Sequence, residues 1–162
     1  MTVETGRGQR SEGRKKNWLA SELRLLTSIF IAMNILLIDD HDETRREMAA
    51  LINAEKDLSV VAEAVTGEEG IKKAGELKPD LVVMDILLPG INGIEATAAI
   101  VVNNPDIKVL ALSNHSGRIL VQAALKAGAM GYVTTGSAFE VLVSAIRSVA
   151  ADRQYLGRGI ND

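Results

Sequence analysis

Three aspartates stand where short apolar runs end, and carboxylates in such positions can hold a cation. Asp39 and Asp40 follow the run NILLI, and Asp85 follows the run LVVM. Three carboxylates that converge in one pocket repel one another strongly, and a divalent cation relieves that repulsion. Oxygen ligands in an incomplete protein shell suit Mg²⁺. Ser113 ends a further apolar run, KVLAL, and offers a hydroxyl group at an equivalent position.

Helix capping is the plainer explanation for these polar residues, because Asp and Ser are favoured at turns that lead from a strand into a helix. Two adjacent aspartates at one strand end and a third at another are harder to explain by capping alone. The pattern therefore favours an anionic site. The chain has no cysteine and only two histidines. A thiolate metal site and a thiol nucleophile are thus excluded. A capping or surface role is expected for His41, and His115 is expected in the loop after the fourth strand, near the pocket but without a metal partner.

The elements that must position these residues follow from an alternation of apolar runs and amphipathic stretches. Strands are expected at 34–38, 58–64, 81–84, 108–112 and 130–134. Helices are expected at 42–54, 67–77, 93–102, 116–127 and 137–151. This alternation predicts an α/β fold with a parallel sheet covered on both faces. Right-handed crossovers bring the carboxyl ends of the strands to one edge, where such sheets bind ligands.

The composition narrows the function classes. The 162 residues are 47% hydrophobic and 24% charged, which is typical of a globular domain. The net charge of −3 argues against a generally basic nucleic-acid binder, and 3% aromatic residues argue against a stacking surface for single strands. The charge is uneven, because residues 1–32 carry +3 and residues 33–162 carry −6. The acidic surplus therefore belongs to the part that is expected to fold.

Residues 1–32 are interpreted as a basic extension that is disordered in its first half. Apolar residues at helical spacing in 18–32 predict a short amphipathic helix, which could lie on a membrane surface or bind a partner. A signal peptide is disfavoured because Glu22 and Arg24 interrupt the apolar stretch, and the segment is too short and too charged to span a membrane. The plainer interpretation is a mis-assigned start, with Met33 as the natural first residue.

The motifs together resemble the receiver domain of two-component response regulators. The matching segments are LLIDDHD at 36–42, DLVVMDILLPGINGIE at 80–95, VLALSNHS at 109–116 and LKAGAMGYV at 125–133. The resemblance covers residues 33–156 and is nearest to the subclass usually joined to a helix-turn-helix DNA-binding domain. It implies a flavodoxin-like, doubly wound, five-stranded parallel sheet of strand order 2-1-3-4-5 with five helices. It also implies a cytoplasmic role in phosphorelay signal transduction.

The resemblance implies a role for each residue of the acidic pocket. Asp85 would be the phosphoryl acceptor, a carboxylate nucleophile that forms an acyl phosphate. Asp39 and Asp40 would hold Mg²⁺ together with Asp85 and the backbone carbonyl of Leu87. The metal would neutralise the charge that develops on the phosphoryl oxygens.

The resemblance also implies a switch beside the acceptor. Ser113 would contact a phosphoryl oxygen and move towards it on phosphorylation. Tyr132 would be the aromatic residue that turns inward when Ser113 moves. Pro89 and Gly93 would shape the loop that follows the acceptor.

One position departs from the family pattern. The family has a lysine three residues after the switch aromatic, and Thr135 stands there in this chain. A lysine would pair with the phosphoryl group as a point charge, whereas threonine offers one neutral hydrogen bond. A charge-assisted hydrogen bond is worth about 1.5–3 kcal/mol and a neutral one about 1 kcal/mol. Lys108 and Lys126 are poorly placed to substitute, while Arg118 could reach the pocket from the loop after the fourth strand.

The leading hypothesis is a single-domain receiver that takes a phosphoryl group from a sensor histidine kinase or a phosphotransfer protein. It would signal through the face of the fourth helix, fifth strand and fifth helix, which could also form a homodimer. Residues 157–162 are interpreted as the stub of a linker with no output domain, so no direct DNA binding is expected. No membrane span and no enzymatic activity beyond self-modification are expected either.

Two further hypotheses stay open. In the first, the chain is a pseudo-receiver, a protein-interaction module that works independently of phosphorylation because Thr135 replaces the lysine. In the second, the acidic pocket turns over small phosphorylated substrates as a phosphatase does, although no general acid is visible. Flavin binding at the same edge is compatible with the fold alone, but three carboxylates disfavour an anionic cofactor there.

Overall fold

The computed structural model describes residues 31–160, in which strands and helices alternate. The strands are β1 (Met33–Ile38), β2 (Leu58–Ala64), β3 (Leu81–Asp85), β4 (Lys108–Ser113), β5 (Gly131–Thr134) and β6 (Tyr155–Leu156). The helices are α1 (Asp42–Asn53), α2 (Gly67–Leu77), α3 (Gly93–Asn103), α4 (Arg118–Lys126) and α5 (Thr135–Ala150). None of the helices in this part of the chain is long and apolar enough to cross a membrane. The disordered segment and all but the last two residues of the amphipathic helix expected over 18–32 fall outside the described residues, and residues 31 and 32 are not helical.

The strands form one sheet in the order β2-β1-β3-β4-β5-β6, and each neighbouring pair is parallel. The five predicted strands and their order are confirmed, and the short sixth strand is an addition that the sequence did not predict. Tyr155 and Leu156 of β6 pair with Gly131 and Tyr132 at the edge of β5. Beyond β6, the side chain of Ile160 packs into the core, so the chain stays attached to the domain after the strand ends.

Each strand sends alternate residues to two separate cores, as the period of two in a strand requires. In β1, Leu36 and Ile38 join the core that α2, α3 and α4 cover. Ile35 and Leu37 of the same strand join the core that α1 and α5 cover. These strand residues are apolar on both faces because both faces are covered, which explains the continuous apolar runs in the sequence.

The direction of winding reverses between β1 and β3, which are neighbours in the sheet. The chain leaves β1 towards β2 on one side and returns to β3 on the other. Ile38 pairs with Met84, so the residues that follow them, Asp39 and Asp85, lie side by side at the carboxyl ends of β1 and β3. Sheets of this kind bind ligands in the crevice at such a reversal. The fold therefore places the predicted acidic residues at its natural binding position.

The loop after β3 depends on a close backbone approach. A Cβ atom at Gly93 would collide with the backbone carbonyl oxygen of Asp85 and with Ile86. The N–H of Gly93 donates to the carbonyl of Ile86 at 2.9 Å, which closes the loop. Asn92 and Glu95 then begin α3 with a reciprocal capping box. Any side chain at position 93 would therefore force this backbone to shift.

Candidate functional site

Four side chains meet at the carboxyl ends of β1 and β3. Asp39, Asp40, His41 and Asp85 each present one ligand atom, and these atoms all lie within 4.8 Å of one another. Asp39 and Asp85 are 3% and 9% exposed, whereas Asp40 and His41 are exposed to solvent. The structure thus brings together the three carboxylates that the sequence placed at strand ends, and it adds an imidazole to them.

The turn that carries two of the carboxylates is held at its backbone and at its side chains. The Oδ1 atom of Asp39 accepts the backbone N–H of His41 at 2.7 Å. The imidazole Nδ1 of His41 lies 3.0 Å from Oδ1 of Asp40 and 3.4 Å from Oδ1 of Asp39. His41 occupies the N-cap position of α1, as the sequence suggested, but its side chain makes no capping hydrogen bond. The imidazole contacts the carboxylates instead.

The two buried carboxyl groups of the cluster, Asp39 and Asp85, have raised pKa values. Burial raises the pKa of Asp85 to about 6, and the charges of Asp39 and Asp40 act in the same direction. The backbone N–H of Leu87, which donates to Oδ1 of Asp85 at 2.9 Å, opposes this rise. Burial also raises the pKa of Asp39, and the carboxylates of Asp40 and Asp39 raise the pKa of His41. Such a concentration of like charge in a partly buried place is what a bound cation relieves.

The donor set fits a metal ion. Three carboxylates within reach of one another supply the oxygen ligands that hard divalent cations prefer, and two of them are buried in fixed positions. The cluster is open on the side of Asp40 and His41, which are exposed, so water or a ligand can complete the coordination of an ion. The arrangement can therefore hold a cation beside the buried carboxylate of Asp85.

A second group of contacts joins the ends of β4 and β5. The N–H of His115 donates to Oγ of Ser113 at 3.1 Å. The phenol of Tyr132 donates to the backbone carbonyl of His115 at 2.7 Å. Ser113 and Tyr132 are both buried, while His115 is exposed. Tyr132 thus points inward, and it holds the same loop residue that Ser113 holds.

A comparison with known protein families identifies the family of this chain. Residues 35–147 match the family model described as the response regulator receiver domain. The chain belongs to the receiver domain family. The resemblance that the sequence motifs indicated is therefore confirmed.

Two curated relatives are response regulators. The response regulator GacA of Pseudomonas viridiflava is 42% identical over 124 residues, which are 76% of this chain and 58% of the relative. The response regulator UvrY of Escherichia coli is 38% identical over 128 residues, which are 79% of this chain and 59% of the relative. The chain therefore spans a little under three-fifths of the length of these relatives.

Solved structures show the same receiver fold. A LuxR-family two-component response regulator from Aurantimonas sp. is 38% identical, and its superposition gives a TM-score of 0.77 over 80% of this chain and 92% of that one. The receiver domain of the putative response regulator NarL from Mycobacterium tuberculosis is 26% identical, with a TM-score of 0.73 over 76% of this chain and 99% of that one. The flavodoxin-like arrangement predicted from the sequence is confirmed.

Thr135 is the first residue of a helix, although the sequence predicted that it lies in the loop before that helix. Helix α5 begins at Thr135 directly after β5, whereas the sequence predicted its first residue two positions later. Thr134 pairs with Ser113 across β4 and β5, which puts the start of α5 beside the end of β4. Lys108 lies at the other end of β4, where its Nζ donates to the carbonyl of Ala150 at 2.7 Å. Lys108 therefore does not replace the missing lysine of the receiver pattern.

Sequence reasoning missed Arg45 of α1. Its Nη1 donates to the backbone carbonyl of Asp39 at 2.8 Å, and its Nη2 donates to Oδ1 of Asp42 at 2.6 Å. The available signal was the Asp42 to Arg45 spacing, since side chains three residues apart on a helix are neighbours. That spacing indicates an ion pair on the helix but not the bond back to the turn before it. Arg45 therefore contacts the backbone of the acidic cluster at Asp39.

Proposed function

We propose that this receiver accepts a phosphoryl group on Asp85 from a sensor histidine kinase or a phosphotransfer protein. The observation that carries the proposal is the position of Asp85, a buried carboxylate at the end of β3 with the carboxylates of Asp39 and Asp40 within 4.8 Å. A nucleophile in such a place can meet a phosphoryl group and a cation together. Membership in the receiver family supports the same role.

The chemistry is a transfer between two nucleophiles. A carboxylate oxygen of Asp85 attacks the phosphorus atom and forms an acyl phosphate, while the bond from phosphorus to the donor breaks and its electron pair leaves with the donor. Because the pKa of Asp85 is about 6, most of this carboxyl group is ionised and nucleophilic at neutral pH. Mg²⁺, when bound, would neutralise charge on the phosphoryl oxygens.

Four groups of this chain would hold the Mg²⁺ ion. Asp39, Asp40 and Asp85 would supply carboxylate oxygens, and Leu87 would supply its backbone carbonyl. The N–H of Leu87 already binds Oδ1 of Asp85, which keeps the backbone of Leu87 next to the nucleophile. Buried Asp39 and Asp85 give the ion fixed ligands, and exposed Asp40 gives it one that can adjust.

The signal would leave the pocket through the loop between β4 and α4. Ser113 would bond an oxygen of the phosphoryl group, which competes with its present bond from the N–H of His115. Tyr132 holds the carbonyl of the same residue, so a change at Ser113 reaches Tyr132. The output would be a surface formed by α4, β5 and α5, open to a partner or a second copy. This signalling is proposed to take place in the cytoplasm.

A second candidate function is a pseudo-receiver that binds its partner independently of phosphorylation. Two observations favour it. Thr135 provides no positive charge at the position of the usual lysine. The buried phenol of Tyr132 is turned inward and donates to the carbonyl of His115, which fixes the loop after β4. In that case, the output surface has one arrangement whether or not Asp85 carries a phosphoryl group.

Intact-mass spectrometry separates the two functions. The protein is incubated with acetyl phosphate with and without Mg²⁺, and the wild type is compared with Asp85→Asn. Asp106→Asn serves as a control, because Asp106 is exposed and lies in the loop before β4. An adduct that requires Mg²⁺ and appears in the wild type and the control but not in Asp85→Asn supports the acceptor. No adduct in a folded wild type contradicts it and favours the pseudo-receiver.

A further inference from the structure

Arg45 binds the turn from Asp39 to His41 at a backbone carbonyl and not at the carboxylates of the cluster. Its side chain is 12% exposed, although it belongs to the first turns of a helix in which the next residue, Arg46, is exposed. One end nitrogen of its guanidinium binds the backbone carbonyl of Asp39 at 2.8 Å, and the other binds the carboxylate of Asp42 at 2.6 Å. The side chain therefore ties the start of α1 to the last residue before Asp40.

We propose that Arg45 is a positioning residue that fixes the turn from Asp39 to His41 in the arrangement that receives a divalent cation. This inference rests on the proposed function, because the ion is the one that the acidic cluster would hold. Arg45 does not contact the ion. It acts on the peptide between Asp39 and Asp40, and that peptide determines where the Asp40 carboxylate can lie.

The restraints on the turn have different origins. The carboxylate of Asp39 accepts the N–H of His41, which is a bond within the turn itself. Arg45 binds the carbonyl of Asp39 from α1, which is a bond from outside the turn. Asp40 is exposed, and its carboxylate contacts the imidazole of His41 within the same turn. The bond from Arg45 holds the Asp39–Asp40 peptide from outside the turn and so limits the motion of Asp40. When a cation binds a turn that is already ordered, the chain loses less conformational entropy than when the cation must order the turn.

The geometry requires an arginine in particular. A guanidinium presents several N–H groups in a fixed plane, so it can bind the carbonyl of Asp39 and the carboxylate of Asp42 together. A lysine keeps the charge but has a single nitrogen on a flexible stem. Arg45→Lys therefore separates the charge of this residue from its planar shape.

If only its charge mattered, removal of Arg45 would change the affinity for Mg²⁺ in the direction opposite to that expected for a positioning residue. Arg45 is a cation near the acidic cluster, so its removal lowers the repulsion on an incoming Mg²⁺ ion and should tighten binding. Loss of a restraint on the turn should instead weaken binding. The sign of the change in affinity thus distinguishes the two explanations. Arg46→Ala removes the same charge from the neighbouring position, and Arg46 makes no ion pair or side-chain hydrogen bond within residues 31–160.

The test is calorimetric titration of the full chain with MgCl₂ at fixed ionic strength. Wild type, Arg45→Ala, Arg45→Lys and Arg46→Ala are compared, and circular dichroism confirms that each is folded. We expect the dissociation constant for Mg²⁺ to rise roughly tenfold in Arg45→Ala, as for other residues that orient metal ligands, and to rise in Arg45→Lys. Arg46→Ala should bind as the wild type does or slightly more tightly.

The results that would overturn the inference can be told apart from one another. If the wild type binds Mg²⁺ and Arg45→Ala binds it equally well or more tightly, Arg45 does not position the turn, and the proposed function stands. If the wild type does not bind Mg²⁺, the proposed function fails and the inference fails with it. Should Arg45→Ala not fold, Arg45→Lys decides, since an unchanged dissociation constant there contradicts the role of the planar guanidinium.

Discussion

The phenol of Tyr132 and the backbone carbonyl of His115 are joined by a 2.7 Å hydrogen bond. The N–H of His115 is held as well, because it donates to Oγ of Ser113. Both polar backbone atoms of an exposed residue are thus bound by buried side chains from two neighbouring strands. The position of the loop between β4 and α4 therefore depends on the hydroxyl of Ser113 and the phenol of Tyr132.

Replacement of Tyr132 by Phe should loosen this loop without changing the core. The ring stays, and only the hydroxyl that binds His115 is lost, at a cost of about 1 kcal/mol. We expect hydrogen exchange at residues 114–117 to become about fivefold faster. Tyr155→Phe, a change in the other tyrosine of the chain, should leave this segment unaffected. Equal exchange in wild type and Tyr132→Phe would show that the hydrogen bond does not hold the loop.

The acidic cluster should make the protein less stable as pH rises. The pKa of Asp85 is about 6 in the folded protein, above its ordinary value of 3.8, so folding favours the protonated form. The stability that this carboxyl group contributes is complete below its unfolded pKa and is lost as pH rises through about 6. Asp85→Asn removes the ionisation. In EDTA, it should stabilise the protein by about 3 kcal/mol above pH 7 and by about 1 kcal/mol at pH 4.5.

Urea unfolding at these two pH values measures this effect. Asp106→Asn is the matched control, because the residue is exposed and outside the cluster, and its free energy of unfolding should change by less than about 0.5 kcal/mol. An equal gain for Asp85→Asn at both pH values would argue against a raised pKa. Mg²⁺ should raise the stability of the wild type and leave that of Asp85→Asn less affected.

The loop after the proposed acceptor should not tolerate a side chain at position 93. A methyl group there meets the backbone carbonyl of Asp85, which cannot move without displacing β3. Gly93→Ala should therefore destabilise the protein by about 2 kcal/mol or more. Gly75→Ala is the control, since that exposed position in α2 has open space around it, and it should stabilise by about 0.5–1 kcal/mol. Thermal unfolding compares the two variants, and similar effects would show that the approach at Gly93 can relax.

A lysine at position 135 should strengthen the response to phosphorylation. Thr135→Lys restores a charge-assisted bond to a phosphoryl group in place of a neutral one, a gain of about 1 kcal/mol. At limiting acetyl phosphate, the yield of adduct should rise about fivefold, as measured by intact mass. Gly136→Lys adds the same charge at the next, exposed position and should have a smaller effect. An unchanged yield in Thr135→Lys would mean that the start of α5 directs residue 135 away from Asp85.

Much of this fold could be predicted because the strands are buried on both faces. The runs NILLI and LVVM are continuous in hydrophobicity for that reason, and the residues that end them necessarily come to one edge of the sheet. The meeting of Asp39 and Asp85 was predictable on the same grounds. The rule about strand ends needs no knowledge of side-chain contacts.

Other features depend on contacts between distant segments, which a local pattern does not contain. Strand β6 has two residues and forms only because Tyr155 and Leu156 reach the free edge of β5. Helix α5 begins at Thr135, among residues whose own helix propensity is low, so the sequence placed its start later. The bond from Arg45 to the carbonyl of Asp39 arises where a helix folds back over the strand before it. Sequence spacing alone does not distinguish Arg45 from Arg46.

The measurement that tests the central claim most directly is chemical location of the phosphoryl group. The protein is treated with acetyl phosphate and Mg²⁺, reduced with borohydride, digested, and analysed by tandem mass spectrometry. Borohydride reduces an acyl phosphate to an alcohol and so converts the modified aspartate to homoserine. We predict homoserine at position 85, dependent on Mg²⁺ and confined to that residue. Homoserine at another aspartate, or its absence from a folded protein that binds Mg²⁺, would contradict the role of Asp85 as acceptor.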